Sequence, residues 1–466
     1  MKWYTNILLI IFFPAIILGQ GHYNQENFGN RSLLLSGNVT GSVDDLGLTY
    51  YNPARIALVE NPVFSINAKG YQLGFIDIKN AFGNNEKLSD SKFEGVPSMI
   101  AGTVKFNKLK KHHFAYSFLS KQRSKVELGY STEKMLGDGL DEVDGIERSV
   151  EHLNLKHHET DEWFGLTWGT RIRDNLSVGV SGFVSVYNYK GSNSVRASAL
   201  DDVQDVDFYN NEIFFGQTSY GMFWKLGVAW LLPKFDLGLN IDLPYWEMFS
   251  SGKFKYEQYL SGFGNGDDIF DYANFDDIEA SRKEPLSLSV GAGIPLGKNK
   301  IHLKVDWHNK IGAYDRLLIP EIDEGTEGIK SFAFKEALKA VVNFGVGAEF
   351  YLSPKYNVYT SFSTDFSPVK SNANIFDLTR EGDNDINIVA DYYHLGLGVD
   401  MKLNWAQLIL GTTFTTGSSE FKQAIDFPDQ AFDEEINNDL SKITVSRWRI
   451  IIGIEIPIFD TKLEFK

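Results

Sequence analysis

The sequence predicts an all-β chain: a 14-stranded antiparallel transmembrane β-barrel with an N-terminal hatch, or plug, inside the lumen. Three observations predict it. Apolar and polar residues alternate in segment after segment from about Pro62 onward. The connections between those segments are short and long by turns, and about forty patterned residues stand between an export signal and the first strand.

The first element is that signal. "MKWYTNILLIIFFPAIILGQ" has Lys2, an apolar run through Leu18, then small and polar residues. The run is shorter than the roughly 20 residues of a spanning helix, so cleavage is expected near Gly19 or Gln20. Residues 1–19 are therefore read as signal peptide, 20–62 as hatch and 63–466 as barrel, with a periplasmic N-terminus. The chain has no cysteine, which excludes a thioether-linked lipid, a disulfide framework and thiolate metal sites. Thirty-five Phe, 21 Tyr and 42 Gly against 13 Pro favour strands and tight turns. No later segment is apolar for 18 residues, so a helical inner-membrane protein is excluded. The formal net charge of −16 argues against nucleic acid or an anionic surface as partner.

Fourteen strands are expected at 63–76, 97–107, 112–131, 149–171, 175–191, 216–231, 235–258, 285–294, 300–314, 341–352, 356–367, 390–403, 406–419 and 445–458. In "NLSVGVSGFVSVYNY", Leu176, Val178, Val180, Val184 and Val186 alternate with Ser177, Gly179, Ser181 and Ser185. In "RWRIIIGIEIPIF", Trp448, Ile450, Ile452 and Ile454 lie opposite Arg447, Arg449 and Glu455. An even strand count suits a single-chain bacterial barrel. Short turns such as "LPK" (232–234) and "SPK" (353–355) alternate with long loops such as "GSNSVRASALDDVQDVDFYNNEIFF" and "GFGNGDDIFDYANFDDIEASRKE". Brief periplasmic turns and extended outer loops are how outer-membrane barrels arrange their connections, and a Gram-negative outer membrane is the expected location. A Lys or Arg facing lipid at mid-depth costs about 2–4 kcal/mol, so the charged faces must point inward. Trp163, Trp168, Tyr245, Trp246 and Trp405 suit aromatic girdles or core packing equally.

In the leading segment, "YYNPARIAL" offers Asn52 as N-cap, Pro53 at the first helical position, then Ala54 to Leu58 as one or two turns. Leu33 to Leu35, Leu46 and Leu48 need burial, and the lumen is the available place. On these residues the sequence resembles the FadL-type outer-membrane transporters of long-chain fatty acids and other hydrophobic compounds. In that family a hatch carrying an Asn-Pro-Ala motif, here Asn52, Pro53 and Ala54, plugs a 14-stranded barrel. The similarity continues through "VGVGAEFYLSPKYNVYTSFSTDFSPV" and "YYHLGLGVDMKLNWAQLILGTTFTTG" and covers nearly the whole mature chain.

The resemblance implies passive uptake of a hydrophobic or amphiphilic compound, with Asn52, Pro53 and Ala54 gating it. It implies a lateral opening in the third strand, where Ser120, Lys121, Gln122 and Arg123 form a polar interruption without the family's glycine. A lysine that meets a ligand carboxylate in some members falls near Lys335 in "FAFKEALKA", and Arg196 is only near an arginine of similar role. Cofactors are not implied. The alternative, from another class, is a barrel that transports nothing and docks other proteins in an outer-membrane assembly, as type IX secretion uses a protein similar to this family. A third is a soluble, secreted β-rich binding protein.

Read from the residues themselves, Phe183, Tyr187, Tyr189, Phe223 and Tyr359 fall on the polar sides of their strands. A hydrophobic ligand or packing against the hatch explains them equally. His157 and His158 in "EHLNLKHHE" face opposite sides of a strand and cannot share a metal ion, so no metal site is expected. The acidic clusters Asp201, Asp202, Asp205, Asp207 and Asp267, Asp268, Asp271, Asp276, Asp277 could bridge to lipopolysaccharide through divalent ions. Their spacing lacks the glycine-centred pattern of a calcium loop, which favours a solvated loop. No Ser-His-Asp order, phosphate loop or HExxH motif appears, and an enzyme is not expected.

Overall fold

The computed structural model describes residues 22–59, 63–80, 87–106, 108–109, 111–135, 146–201, 206–262, 268–323, 329–368, 382–383, 390–422 and 440–457. The expected signal peptide and Asp202, Asp205 and Asp267 lie outside these residues. Two single-turn helices, α1 (Arg31–Leu34) and α2 (Leu48–Tyr51), and a 3-10 helix (Pro53–Leu58) precede the strands. The strands follow as β1 (Val63–Lys79), β2 (Lys87–Val104), β3 (His112–Met135), β4 (Ile146–Arg173), β5 (Leu176–Asp201), β6 (Val206–Leu231) and β7 (Asp236–Asp242). Next come β8 (Trp246–Ser261), β9 (Ile269–Ile278), β10 (Ser287–Leu296), β11 (Asn299–His308), β12 (Ile311–Leu317), β13 (Ile322–Asp323) and β14 (Ile329–Lys330). The last are β15 (Phe332–Leu338), β16 (Val341–Ser353), β17 (Tyr356–Asp365), β18 (Gly382–Asp383), β19 (Asp391–Lys402), β20 (Gln407–Lys422) and β21 (Leu440–Pro457).

Fourteen of them close a ring, β5-β4-β3-β2-β1-β21-β20-β19-β17-β16-β11-β10-β7-β6, and the β5–β6 ladder joins its ends. The expected all-β, 14-stranded antiparallel barrel is therefore the observed one. Side-chain alternation sorts the two faces. Leu166 is 73% exposed and Ile450 51%, both pointing outward, while Ser181, Ser185 and Arg449 point inward and are buried. On β4 the outward residues Phe164, Leu166 and Ile172 are apolar and exposed, whereas Lys156 and His158, toward the long-loop rim, are charged or polar. Eight residues of strand at about 3.3 Å each, tilted near 45°, give about 19 Å of height, most of an outer-membrane apolar band of about 25 Å.

Strands run past that band, which is where the expected boundaries fail. "GSNSVRASALDDVQDVDFYNNEIFF", expected as a loop, is mostly the upper parts of β5 and β6, paired from Leu200↔Val206 downward. The second expected loop contains β9, paired with β8. Beyond the bilayer both faces of a strand can be polar, so the alternation that marks a lipid-facing strand disappears. The expected single strand 235–258 is two pieces: β6 pairs with β7 through Lys225–Leu231 and with β8 through Phe208–Met222. Leu243, Pro244 and Tyr245 break the ladder between them, and Pro244 has no N–H to give it.

Residues 22–59 contact strands from opposite sides of the ring. The 3-10 helix packs on β3, β4, β5 and β6, and α1 on β17, β19 and β20. Leu33, Leu34, Leu35, Leu46 and Leu48 are at most 3% exposed. Asn52 caps the 3-10 helix as expected, its Oδ1 accepting from Ala54 N at 3.2 Å, with Pro53 at the first helical position. Its Nδ2 donates to Thr40 O (2.8 Å) and Val228 O (3.0 Å), so the same side chain ties the segment to β6. Glycine makes the close approach to the wall possible: a Cβ at Gly179, Gly227 or Gly238 would overlap Pro53, Asn52 or Thr40. Gly291, Gly345 and Gly396 repeat this on other strands around the ring.

Candidate functional site

Above the N-terminal segment the lumen holds a cavity of about 370 Å³. Its aromatic wall follows from period-2 geometry. Tyr187 and Tyr189 lie two residues apart on β5 and so share its inner face, and Phe223 and Trp163 enter from β6 and β4. Trp163 stacks on Phe223 with ring centroids 4.1 Å apart, and Phe223 meets Tyr245 at 4.8 Å. The N-terminal segment contributes Tyr50 and residues His22 to Gln25. His22 stacks on Tyr392 at 3.9 Å and Tyr23 on His308 at 3.8 Å, while Arg447 and Arg449 pair with Glu26.

The second break in the wall, Glu279 to Leu286 between β9 and β10, turns Arg282 into the lumen. Its guanidinium meets Asp161 at 2.8 Å and Glu284 at 3.0 Å and lies over the rings of Tyr187 (4.2 Å) and Tyr245 (5.0 Å). Two carboxylates thus share one cation, Asp161 fully buried and Glu284 about a third exposed. Burial pushes the Glu284 carboxyl up from its ordinary range, against the pull of Arg282.

Two other lumen cations have no carboxylate within ion-pair distance among the described residues. Arg316, on β12, donates from Nη2 to Tyr187 Oη (3.0 Å) and Gln217 Oε1 (2.9 Å) and lies 5.2 Å from the Tyr189 ring. Lys121, on β3, donates to Tyr23 O at 3.0 Å and lies 5.6 Å from the Tyr50 ring. An aromatic-walled cavity with such cations suits a molecule that has an apolar body and an anionic head.

The cavity reaches the wall where a ladder is missing. The β2–β3 ladder covers only Met99–Val104 against Phe114–Leu119, although β2 begins at Lys87 and β3 ends at Met135. Above it, side chains span the two strands: Lys92 Nζ donates to Lys125 O and pairs with Glu127, each at 3.3 Å, and Glu127 N donates to Asp90 Oδ2 at 3.3 Å. Asp90 and Lys92 on one bank and Gln122, Ser124 and Val126 on the other line the cavity. Lys121 is the residue skipped by the β3–β4 register between Ser120 and Gln122.

The residues singled out by sequence divide into groups. Tyr187, Tyr189 and Phe223 line the cavity, with Lys121, Gln122 and Arg123 at its edge. Phe183 packs with Phe28 and Leu46 of the N-terminal segment, and Tyr359 with Leu33 to Leu35. Ser120 is buried, and donates to Glu162 at 3.1 Å. Lys335 is exposed on β15 and is not among the cavity residues; Glu336 and Leu338 of the same strand are. Arg196 faces out, paired with Glu212 at 3.2 Å. Trp163 and Tyr245 point into the lumen, while Trp246 is exposed on β8 and Trp405 is exposed in the turn between β19 and β20. His157 points inward to Tyr189 and Asn193 at 2.9 Å each, and His158 outward. Arg282 and Arg316 were missed. Charge beside Pro285 in "SRKEP" reads as a solvated loop, and nothing in the sequence shows it folding inward.

No described family and no curated protein matches the sequence. Solved structures do. A FadL homologue of Pseudomonas aeruginosa superposes with a TM-score of 0.56 at 10% identity, over 94% of this chain and 100% of that one. The toluene transporter TodX of Pseudomonas putida superposes with a TM-score of 0.57 at 9% identity, over 93% and 99%. At such identities the likeness is one of fold, and the fold this chain has is that of the FadL homologue and of TodX.

Proposed function

We propose that this chain is a FadL-type channel of the outer membrane that passively takes up a hydrophobic or amphiphilic compound, such as a long-chain fatty acid. The observation that carries the reading is the cavity itself: aromatic walls, the Arg316 guanidinium with no carboxylate in ion-pair distance among the described residues, and an edge at the β2–β3 gap. An alkyl chain lies against Tyr187, Tyr189 and Phe223 while its carboxylate meets Arg316, so the head-binding role passes from Lys335 to a cation inside the lumen. Residues 22–59 act as the hatch, with Asn52, Pro53 and Ala54 as the clasp, and the ligand leaves sideways past Ser120 to Arg123. The fold shared with a FadL homologue and TodX supports this reading; no observation favours the docking-subunit alternative.

Gentle purification followed by mass spectrometry of the organic extract tests the proposal. A stoichiometric amphiphile, lost in Arg316→Ala with Phe223→Ala, is expected. Preparations that carry protein partners and no small molecule would overturn it.

A further inference from the structure

We propose that the outer wall of β4, β5, β6 and β8, just beyond the apolar band, binds the phosphates of lipid A, the headgroup of lipopolysaccharide in the leaflet facing it. The chain's net charge of −16 speaks against any anionic surface, but strand register concentrates cations on this one face. Successive rows across the strands change character with height. Val186, Tyr220 and Phe249 form the last continuous apolar row on β5, β6 and β8, with Glu162 beside them on β4 and Phe214 as an outward aromatic higher on β6. Thr160, Asn188, Thr218 and Ser251 make the next, which is polar and uncharged. Above it Lys125, His158, Lys190, Gly216 and Lys253 stand opposite one another across five strands. Lys156 and Lys255 follow in the row after that.

These side chains point to solvent, and the lysines that matter are not used by the fold. Lys125 pairs with Glu127 at 3.0 Å and Lys253 with Asp276 at 2.9 Å. Lys156, Lys190 and Lys255 are exposed and make no ion pair among the described residues. Gly216 leaves a notch between Lys190 and Lys253, for a Cβ placed there would meet nothing closer than 3.6 Å. Two strand spacings separate those lysines by about 10 Å, room for a phosphate between them. The cation row lies four residues beyond the last apolar row, about 13 Å along a strand and about 9 Å in height at a 45° tilt. A lysine stem reaches back over much of that distance, which brings its ammonium to the headgroup layer.

The test uses the full-length barrel, stripped of lipopolysaccharide in neutral detergent and titrated with micelles carrying bis-phosphorylated or dephosphorylated lipid A. Each lysine near an anionic lipid surface contributes about fivefold in affinity, so Lys156→Gln, Lys190→Gln and Lys255→Gln together predict a loss of about a hundredfold. Lys87→Gln with Lys355→Gln and Lys442→Gln, the same charge change elsewhere, should bind as the parent does. Heat-modifiable gel migration establishes that each variant is folded and checks the barrel itself independently of lipid binding. Equal affinity for the dephosphorylated lipid, parental affinity in the first triple variant, or an equal loss in the second overturns the proposal.

Discussion

At the scale of single residues the lumen is defined by how its charges are matched. Arg316 has neutral partners in Tyr187 and Gln217, so a carboxylate entering the cavity would gain a charge-assisted bond without displacing another anion. Arg316→Gln is expected to weaken binding of a long-chain carboxylate about tenfold to a hundredfold and leave the corresponding alcohol within about twofold, read by competition with a fluorescent fatty acid. Equal losses for acid and alcohol would remove Arg316 from the head-binding role. Glu284 differs, because it competes with Asp161 for one guanidinium. Its carboxyl is held above the ordinary 4.5, so between 4.5 and the raised value the folded state keeps a proton that the unfolded chain has released. Its contribution to stability therefore declines as pH rises through that window. Urea unfolding in micelles from pH 4.5 upward should show this decline, and Glu284→Gln should flatten it; a contribution that grows with pH would contradict the assignment.

Among the elements, the N-terminal segment and the inner wall are fitted to each other by glycine. Gly227→Val would drive a branched side chain into Asn52 and Pro53. Asn52→Ala removes the cap and leaves Thr40 O and Val228 O without their donor, a local cost of about 2–4 kcal/mol. Both variants should keep a heat-modifiable barrel while proteolysis within residues 22–59 rises; resistance equal to the parent's would mean the segment is held by something else. The cap and Pro53 were legible because Asn-Pro is a local signal, and the barrel was legible because lipid forces alternation on every strand that crosses it. The glycine wall was visible too, as Gly-x-Gly at the inward register in "VGAG", "FGVGAEF" and "LGLGVD", yet glycine in bulk reads as turns. The wall breaks were not legible. Leu243 to Tyr245 and Glu279 to Leu286 gain meaning only from which strand each flank pairs with, a long-range property that periodicity does not carry.

For the whole molecule the question is where a ligand leaves. The segment 22–59 fills the short-turn end, with residues such as Leu34, Ala54 and Ile56 fully buried against the ring. The side is held differently: between β2 and β3 the backbone ladder gives way to the contacts of Lys92, Asp90 and Glu127. Partly exposed ion pairs of this kind contribute about 0–1 kcal/mol each, far less than a ladder or a packed core, so the gap opens at lower cost than the short-turn end filled by residues 22–59. That ranking predicts a sideways exit. Because the chain has no cysteine, Lys92→Cys with Lys125→Cys supplies a single reactive pair across the gap, which a short, cleavable bis-maleimide can bridge. Bridging should leave equilibrium binding in the cavity within about twofold while lowering uptake into proteoliposomes at least about tenfold, as blocking a required step does. Cleaving the linker should restore uptake. Undiminished uptake in the bridged barrel, combined with loss of uptake when the N-terminal segment is instead tethered to β6, would place the exit at the short-turn end.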